Sequence, residues 1–330
     1  MRDGRRRCGN GSVIGKENDD MAKQLAFLQS CRQVACMRQD LRPLAVALLA
    51  AALAFFPEAL MADTRALDRP EIAARLFHPR PDRAPAGCGE DAMAAAPDGV
   101  ALHVRLHLAD KAFPTLLLFH GNGEIASDYD ALAPQIAGIG LNLAVAEFRG
   151  YGRSQGVPQA ATLESDALAA FTFVKARLAQ AQASPRILVM GRSLGSACAL
   201  ALAASRPQEI DGLVIESGFA GTLALLRVLG VDSGRYGITE ADGFGNLAHI
   251  GRYAGPTLVI HGAADDLIDP NEARRLFAAS PARDKELLLI PGAGHNDLFL
   301  VGRRRYLEAL SRLPARDPGQ AQGTRAPSLP

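Results

Sequence analysis

Six short apolar runs recur between residues 115 and 290, each ending in a polar or glycine-bearing stretch. They are Thr115–Phe119, Leu141–Glu147, Ile187–Met190, Leu213–Glu216, Thr257–His261 and Glu286–Ile290. Continuous apolar runs of this length predict strands covered on both faces. Helical patterns fall between or after them, at Ser127–Ile139, Leu163–Ala179, the small-residue stretch after Gly195, Asn271–Ala279 and Leu298–Leu313. Upstream, Val100–Leu108 alternates, with Val100, Leu102, Val104 and Leu106 on one face, and predicts a half-buried strand. Asp68-Arg69-Pro70-Glu71 opens a short helix, and Ala84–Pro97 reads as a loop. Strands alternating with helices predict an α/β chain, a mostly parallel central sheet with helices on both faces. Ligands in such sheets bind at the carboxyl ends of the strands.

The ends of the chain have a different texture. Residues 1–42 are polar and basic, and 43–56 (PLAVALLAAALAFF) are strongly apolar. That run is shorter than the roughly 20 residues that span a bilayer. It fits a signal-peptide core followed by Leu60 and Ala62, with Met37 as the start, or an anchor through which the protein associates with a membrane. Initiation at Met61 removes it instead. Residues 1–62 are therefore set apart as an extension, 63–314 as the folded domain, and 315–330 as a polar tail.

Composition narrows the partners. A net charge of +1 with no basic stretch in the folded region argues against nucleic acid. The absence of tryptophan argues against a stacking platform. The odd set Cys8, Cys31, Cys36, Cys88 and Cys198 shows neither CxxC nor any zinc spacing. No metal site is expected, and a reducing compartment, the cytoplasm, is favoured over an anchored or exported location.

The candidate chemistry sits just beyond the carboxyl ends of the strands. Ile187–Met190 runs into Gly191-Arg192-Ser193-Leu194-Gly195 and then a helix of small residues. A serine on a sharp strand-to-helix turn, flanked by small residues, has the form of a nucleophile elbow. A second G-x-S-x-G match, Gly152-Arg153-Ser154-Gln155-Gly156, comes after a loop and precedes Val157-Pro158, so it lacks that context. His295 lies after the last strand, and Asp265, Asp266 and Asp269 lie after the one before it. Asp269 precedes Pro270 and Glu272, the signature of a helix start. Spacing does not choose between Asp265 and Asp266. Serine, carboxylate and histidine in that order are what acyl transfer needs: a base to take the serine proton and an acid to orient the base. The oxyanion of such a reaction is expected at the N–H groups of Leu194 and Asn122.

These motifs resemble the α/β-hydrolase superfamily. The similarity covers about Asp98 to Leu313 and is carried by Phe119-His120-Gly121-Asn122, Arg149-Gly150-Tyr151-Gly152-Arg153-Ser154, GRSLG, Gly243-Phe244-Gly245-Asn246-Leu247 and HGAAD. The branch it resembles includes serine-aminopeptidase-like proteins and protein-depalmitoylating thioesterases. The resemblance implies an α/β-hydrolase fold, the acid at Asp265, and Ser193 and His295 beside it. It also implies a cap between strands, here the short stretch 219–255, and no cofactor. Glu147 stands where the family commonly has Asp, and Gly123-Glu124 depart from the usual oxyanion entrance. An ester or thioester of a small or acylated substrate fits an accessible pocket. Gly123 and Glu124 are the candidate substrate-binding residues, with Glu124 able to receive an amine in an aminopeptidase-like alternative. Two other readings are a hydrolase fold kept only for binding and a dinucleotide-binding oxidoreductase. The latter rests on Gly121-Asn122-Gly123-Glu124-Ile125-Ala126 and Glu147.

Overall fold

The six apolar runs become six adjacent parallel strands. A computed structural model describes residues 64–82 and 89–313. The apolar run 43–56 and the tail 315–330 lie outside the described residues. The strands are β1 (Glu90–Ala95), β2 (Ala101–His107), β3 (Thr115–Phe119), β4 (Asn142–Ala146), β5 (Ile187–Arg192), β6 (Gly212–Glu216), β7 (Thr257–Gly262) and β8 (Lys285–Ile290). They form one eight-stranded sheet in the order β1-β2-β4-β3-β5-β6-β7-β8. β2 runs antiparallel to β1 and β4, and the remaining neighbours are parallel.

Nine α-helices accompany the sheet: α1 (Pro70–Leu76), α2 (Ala133–Ala137), α3 (Leu163–Gln180), α4 (Gly195–Ser205), α5 (Thr222–Val228), α6 (Ser233–Tyr236), α7 (Asn246–Ile250), α8 (Pro270–Ala279) and α9 (Leu298–Arg312) among the described residues. The period-2 geometry of the strands splits the core in two. Leu117 and Phe119 of β3 join Phe171 of α3 and Leu200 of α4 on one face. Leu116 and Leu118 join Ile136 of α2 and Tyr306 of α9 on the other. The sheet is covered on both faces, the α/β architecture that the resemblance implies. Residues between β6 and β7 hold only α5, α6, α7 and a 3-10 turn, so the cap is short. No helix among the described residues is long and apolar enough to cross a membrane.

Three local expectations are corrected. The described part of Ala84–Pro97 is not loop throughout: Glu90–Ala95 pairs antiparallel with β2. Its alanine-rich sequence has little intrinsic strand preference, and the partner strand imposes the conformation. Ser127–Ile139 is not one helix but a 3-10 turn (Ala126–Tyr129) followed by α2. The polar face of β2 does not meet solvent. His103 and Arg105 are fully buried there. Arg105 pairs with Asp82, Asp91 and Asp130, and His103 with Asp91 and Glu147.

Candidate active site

Backbone crowding fixes the turn after β5. A Cβ on Gly191 would lie 2.4 Å from the Gly195 carbonyl oxygen, and one on Gly195 would lie 2.1 Å from that of Phe119. Glycine is therefore required at both places. Between them Ser193 takes a left-handed backbone, φ +50°. Non-glycine residues rarely adopt that conformation, and such outliers cluster at active sites and switch regions. The Ser193 N–H donates to the Glu216 carbonyl oxygen at 2.9 Å, which pins the turn to the end of β6.

Two loops converge on this serine. His295, after β8, places Nε2 3.0 Å from Ser193 Oγ. Its Nδ1 lies 2.8 Å from Asp265 Oδ2. The other Asp265 oxygen accepts the N–H groups of Leu267 at 2.9 Å and Ile268 at 2.8 Å. Burial works to raise the Asp265 carboxyl. Hydrogen bonds with His261 and His295, together with the Ile268 N–H, outweigh it and hold the group well below the usual carboxylate range. Asp265 therefore stays ionised and acceptor-only, which suits an imidazole N–H at Nδ1. Asp266 is exposed. Asp269 caps α8 by accepting the Asn271 N–H at 2.8 Å. The structure thus brings Asp265, of the three acids, to His295. Asp297 accepts the Gly294 N–H at 2.7 Å and closes the histidine loop.

Asn122 lies after β3 and faces the elbow. Its side chain is held from behind: Oδ1 accepts the Tyr151 hydroxyl at 2.6 Å and the His78 N–H at 2.9 Å. Nδ2 donates to the Leu76 carbonyl oxygen at 3.0 Å. Among the described residues, no hydrogen bond engages the N–H of Asn122 or of Leu194. Both residues line one pocket together with Ser193. The sequence gives no sign that Leu76 and His78 belong to a site, because they lie more than 40 positions before Asn122 in a segment that reads only as a short helix.

Gly123 and Glu124 are placed differently from the expectation. Gly123 has φ +77°, and its carbonyl accepts Arg80 Nε at 2.6 Å. Glu124 Oε1 pairs with Arg192 at 2.9 Å, and Oε2 accepts both the Gly121 N–H and the Tyr129 hydroxyl at 2.6 Å. A neighbouring cation and two donors thus draw the carboxylate away from the pocket. The pocket itself is lined by Leu76, Leu225, Val228, Leu229, Leu267 and Ile268, with Asn122, Ser193 and Leu194 at its base. It is apolar, and α5 of the cap supplies one wall.

Ser154 belongs elsewhere. Its Oγ accepts the His103 N–H at 2.8 Å, so it braces β2. Glu147 accepts the N–H groups of Ala126 and Arg153 and pairs with His103. Those contacts occupy the carboxylate that a dinucleotide ribose would need, and a 3-10 turn rather than an α-helix comes directly after Gly121–Glu124.

Comparison with known proteins bears on the family and the fold. The family model described as Serine aminopeptidase, S33, matches residues 110–225 and 246–299, passing over most of the cap. A Mycobacterium tuberculosis protein described as uncharacterized is 32% identical over 237 residues, covering 68% of this chain and 78% of that one. Alpha/beta hydrolase domain-containing protein 17B of Xenopus laevis is 31% identical over 207 residues, covering 62% of this chain and 67% of its own. Among solved structures, the Pyrococcus furiosus esterase Pf2001 superposes with a TM-score of 0.60 at 19% identity, covering 74% of this chain and all of that one.

Proposed function

The chain belongs to the α/β-hydrolase superfamily, within the S33 serine aminopeptidase family, and we propose that it is a serine hydrolase acting on an ester or thioester through an acyl-enzyme. The observation that carries this reading is the contact of His295 Nε2 with Ser193 Oγ at 3.0 Å, on a serine whose backbone is held at φ +50°.

In the proposed reaction Ser193 Oγ attacks the acyl carbonyl carbon as its proton passes to His295 Nε2. Asp265 holds the other imidazole N–H and stabilises the imidazolium that forms. The carbonyl oxygen becomes an oxyanion and is received by the N–H groups of Leu194 and Asn122. The intermediate collapses as His295 returns the proton to the leaving oxygen or sulfur. Water then attacks the acyl-serine, with His295 as base again, and releases the acid. Each oxyanion donor is worth about 3 kcal/mol to such a reaction.

The lining of the pocket favours an acyl group over an amino acid. Among the described residues it carries six aliphatic side chains and no acid. An aminopeptidase needs a carboxylate for the substrate ammonium, and Glu124 is engaged by Arg192 and Tyr129 instead. A binding-only protein has no need of a strained serine aligned with a histidine and a buried acid.

The test is covalent labelling with a fluorophosphonate alongside hydrolysis of p-nitrophenyl butyrate. Labelling and turnover are expected in the wild type and absent in Ser193→Ala. Labelling that persists in Ser193→Ala would reject the nucleophile.

A further inference from the structure

The residue before the nucleophile is an arginine, and acyl transfer by serine, histidine and aspartate has no direct use for it. Arg192 is nevertheless held by four partners at the site. Its side chain is only 11% exposed. Nη2 donates to the His295 carbonyl oxygen at 3.0 Å and to Asn296 Oδ1 at 3.3 Å. Nη1 pairs with Glu124 Oε1 at 2.9 Å, and Nε with Glu216 Oε1 at 3.2 Å. One guanidinium thus reaches three separate places: the loop after β3 that carries Asn122, the end of β6, and the loop after β8 that carries His295.

Each partner is anchored in turn. Glu124 Oε2 accepts the Gly121 N–H and the Tyr129 hydroxyl. Glu216 Oε2 accepts the Tyr306 hydroxyl of α9 at 2.6 Å, and the Glu216 carbonyl accepts the Ser193 N–H. Gly121 gives the guanidinium room, since a Cβ there would lie 2.8 Å from Arg192 Nη1. Burial works against the charge on Arg192, but Glu216 and Glu124 outweigh it, so the cation is held firmly in its charged form.

We propose that Arg192 is a positioning residue. It clamps the nucleophile turn, the oxyanion loop and the histidine loop into one rigid unit, so that Ser193, the Asn122 N–H and His295 keep their mutual placement through the reaction. The role rests on the serine-hydrolase reading of the site. A planar guanidinium spreads five donors over three separated nitrogens, whereas the lysine ammonium offers three from a single point. Arg192 does not line the acyl pocket, so its effect falls on the chemical step rather than on substrate binding. Misplacement by about 1 Å costs on the order of 100-fold in such a step.

The test uses Arg192→Lys, Glu124→Gln and Ser193→Ala in the full-length protein. Rates are measured on p-nitrophenyl butyrate and divided by the concentration of sites titrated with a fluorophosphonate, so that unfolded protein does not count. Arg192→Lys should lower kcat per titrated site by about 10- to 100-fold, with KM within about twofold. Glu124→Gln keeps an acceptor for Tyr129 and Gly121 but weakens the ion pair, and should lower kcat by a smaller factor in the same direction. If Arg192→Lys does not fold, Glu124→Gln decides alone. Wild-type kcat per titrated site in both variants, or a loss expressed only in KM, overturns the positioning role. An active Ser193→Ala variant overturns the serine-hydrolase reading itself, whereas an inert one beside an unaltered Arg192→Lys overturns only Arg192.

Discussion

A methyl group added to Gly195 would stand 2.1 Å from the Phe119 carbonyl oxygen, so α4 and the end of β3 touch backbone to backbone. Gly195→Ala is expected to force β3 and the elbow apart. Overpacking of this kind costs about 1–3 kcal/mol, and here neither neighbour is a side chain that can swing away. Chemical denaturation should show a lower midpoint at an unchanged slope, and fluorophosphonate labelling should be slower by more than tenfold in the fraction still folded. Wild-type labelling would mean that the close approach has no bearing on the turn.

Asp265 and Asp266 are adjacent in sequence and opposite in environment. Asp265 is buried against His295, and Asp266 is exposed. Asp265→Asn should reduce kcat by about three to four orders of magnitude, because the amide no longer fixes the imidazole in the correct tautomer. Asp266→Asn should stay within about twofold. Steady-state hydrolysis of p-nitrophenyl butyrate compares the two, and the reverse ranking would move the acid to Asp266.

Ser154 separates a motif match from a site. Its hydroxyl accepts the His103 N–H. Ser154→Ala should therefore cost about 1 kcal/mol of stability, the ordinary worth of one hydrogen bond. Labelling by a fluorophosphonate should proceed at the wild-type rate. Loss of labelling in a variant of unchanged stability would contradict this.

The buried charges beside β2 set a pH window. Burial works to lower the His103 imidazole, but Glu147 and Asp91 outweigh it and raise the group above its ordinary value of 6.5. That contribution to stability is complete below pH 6.5 and is lost as pH rises through the raised folded value. Burial works to raise Glu147 and Asp91, but His103, and for Asp91 also Arg105, lower them below 4.5 and 3.8. Their contribution is present above those values and is lost as pH falls through the depressed folded ones. Urea unfolding across pH should place the maximum from this cluster between about 4.5 and 6.5. In His103→Gln the decline on the alkaline side should flatten, and an unchanged slope would assign the decline to other groups.

Side-chain size on the loop after β7 should set the acyl length. Ile268 lines the pocket and is nearly fully buried. Ile268→Ala is expected to move the optimum among p-nitrophenyl esters toward longer chains and to lower activity on the acetate. The same chain-length profile in wild type and variant would place the acyl group elsewhere.

Much of this was legible because strong local patterns and global structure agree. Apolar runs of four to seven residues alternating with helical patterns point to buried parallel strands, and each carboxyl end named the loop to inspect. The elbow was legible because strand, serine and helix follow one another within a short stretch: Gly191 is demanded by Gly195 and Ser196 close by, although Gly195 is demanded by Phe119 on β3. What escaped depended on distant partners. β1 carries alanines that favour no strand until β2 pairs with it. Arg105 reads as the polar side of a half-buried strand until Asp82, Asp91 and Asp130 are brought around it. Glu124 reads as an available carboxylate beside the site until the fold carries Arg192 to it from 68 positions further on.

The hydrogen bonds from Asn122 back to Leu76 and His78 bear on where this domain can be cut. The family match starts at residue 110 and includes the serine, the acid and the histidine, yet it omits that brace along with β1 and β2. A fragment trimmed to those borders would keep the serine, the acid and the histidine and lose the Leu76 and His78 contacts that hold the Asn122 side chain. The recognisable segment is thus not a transplantable cassette. The contacts that hold Asn122 reach upstream to Leu76 of α1.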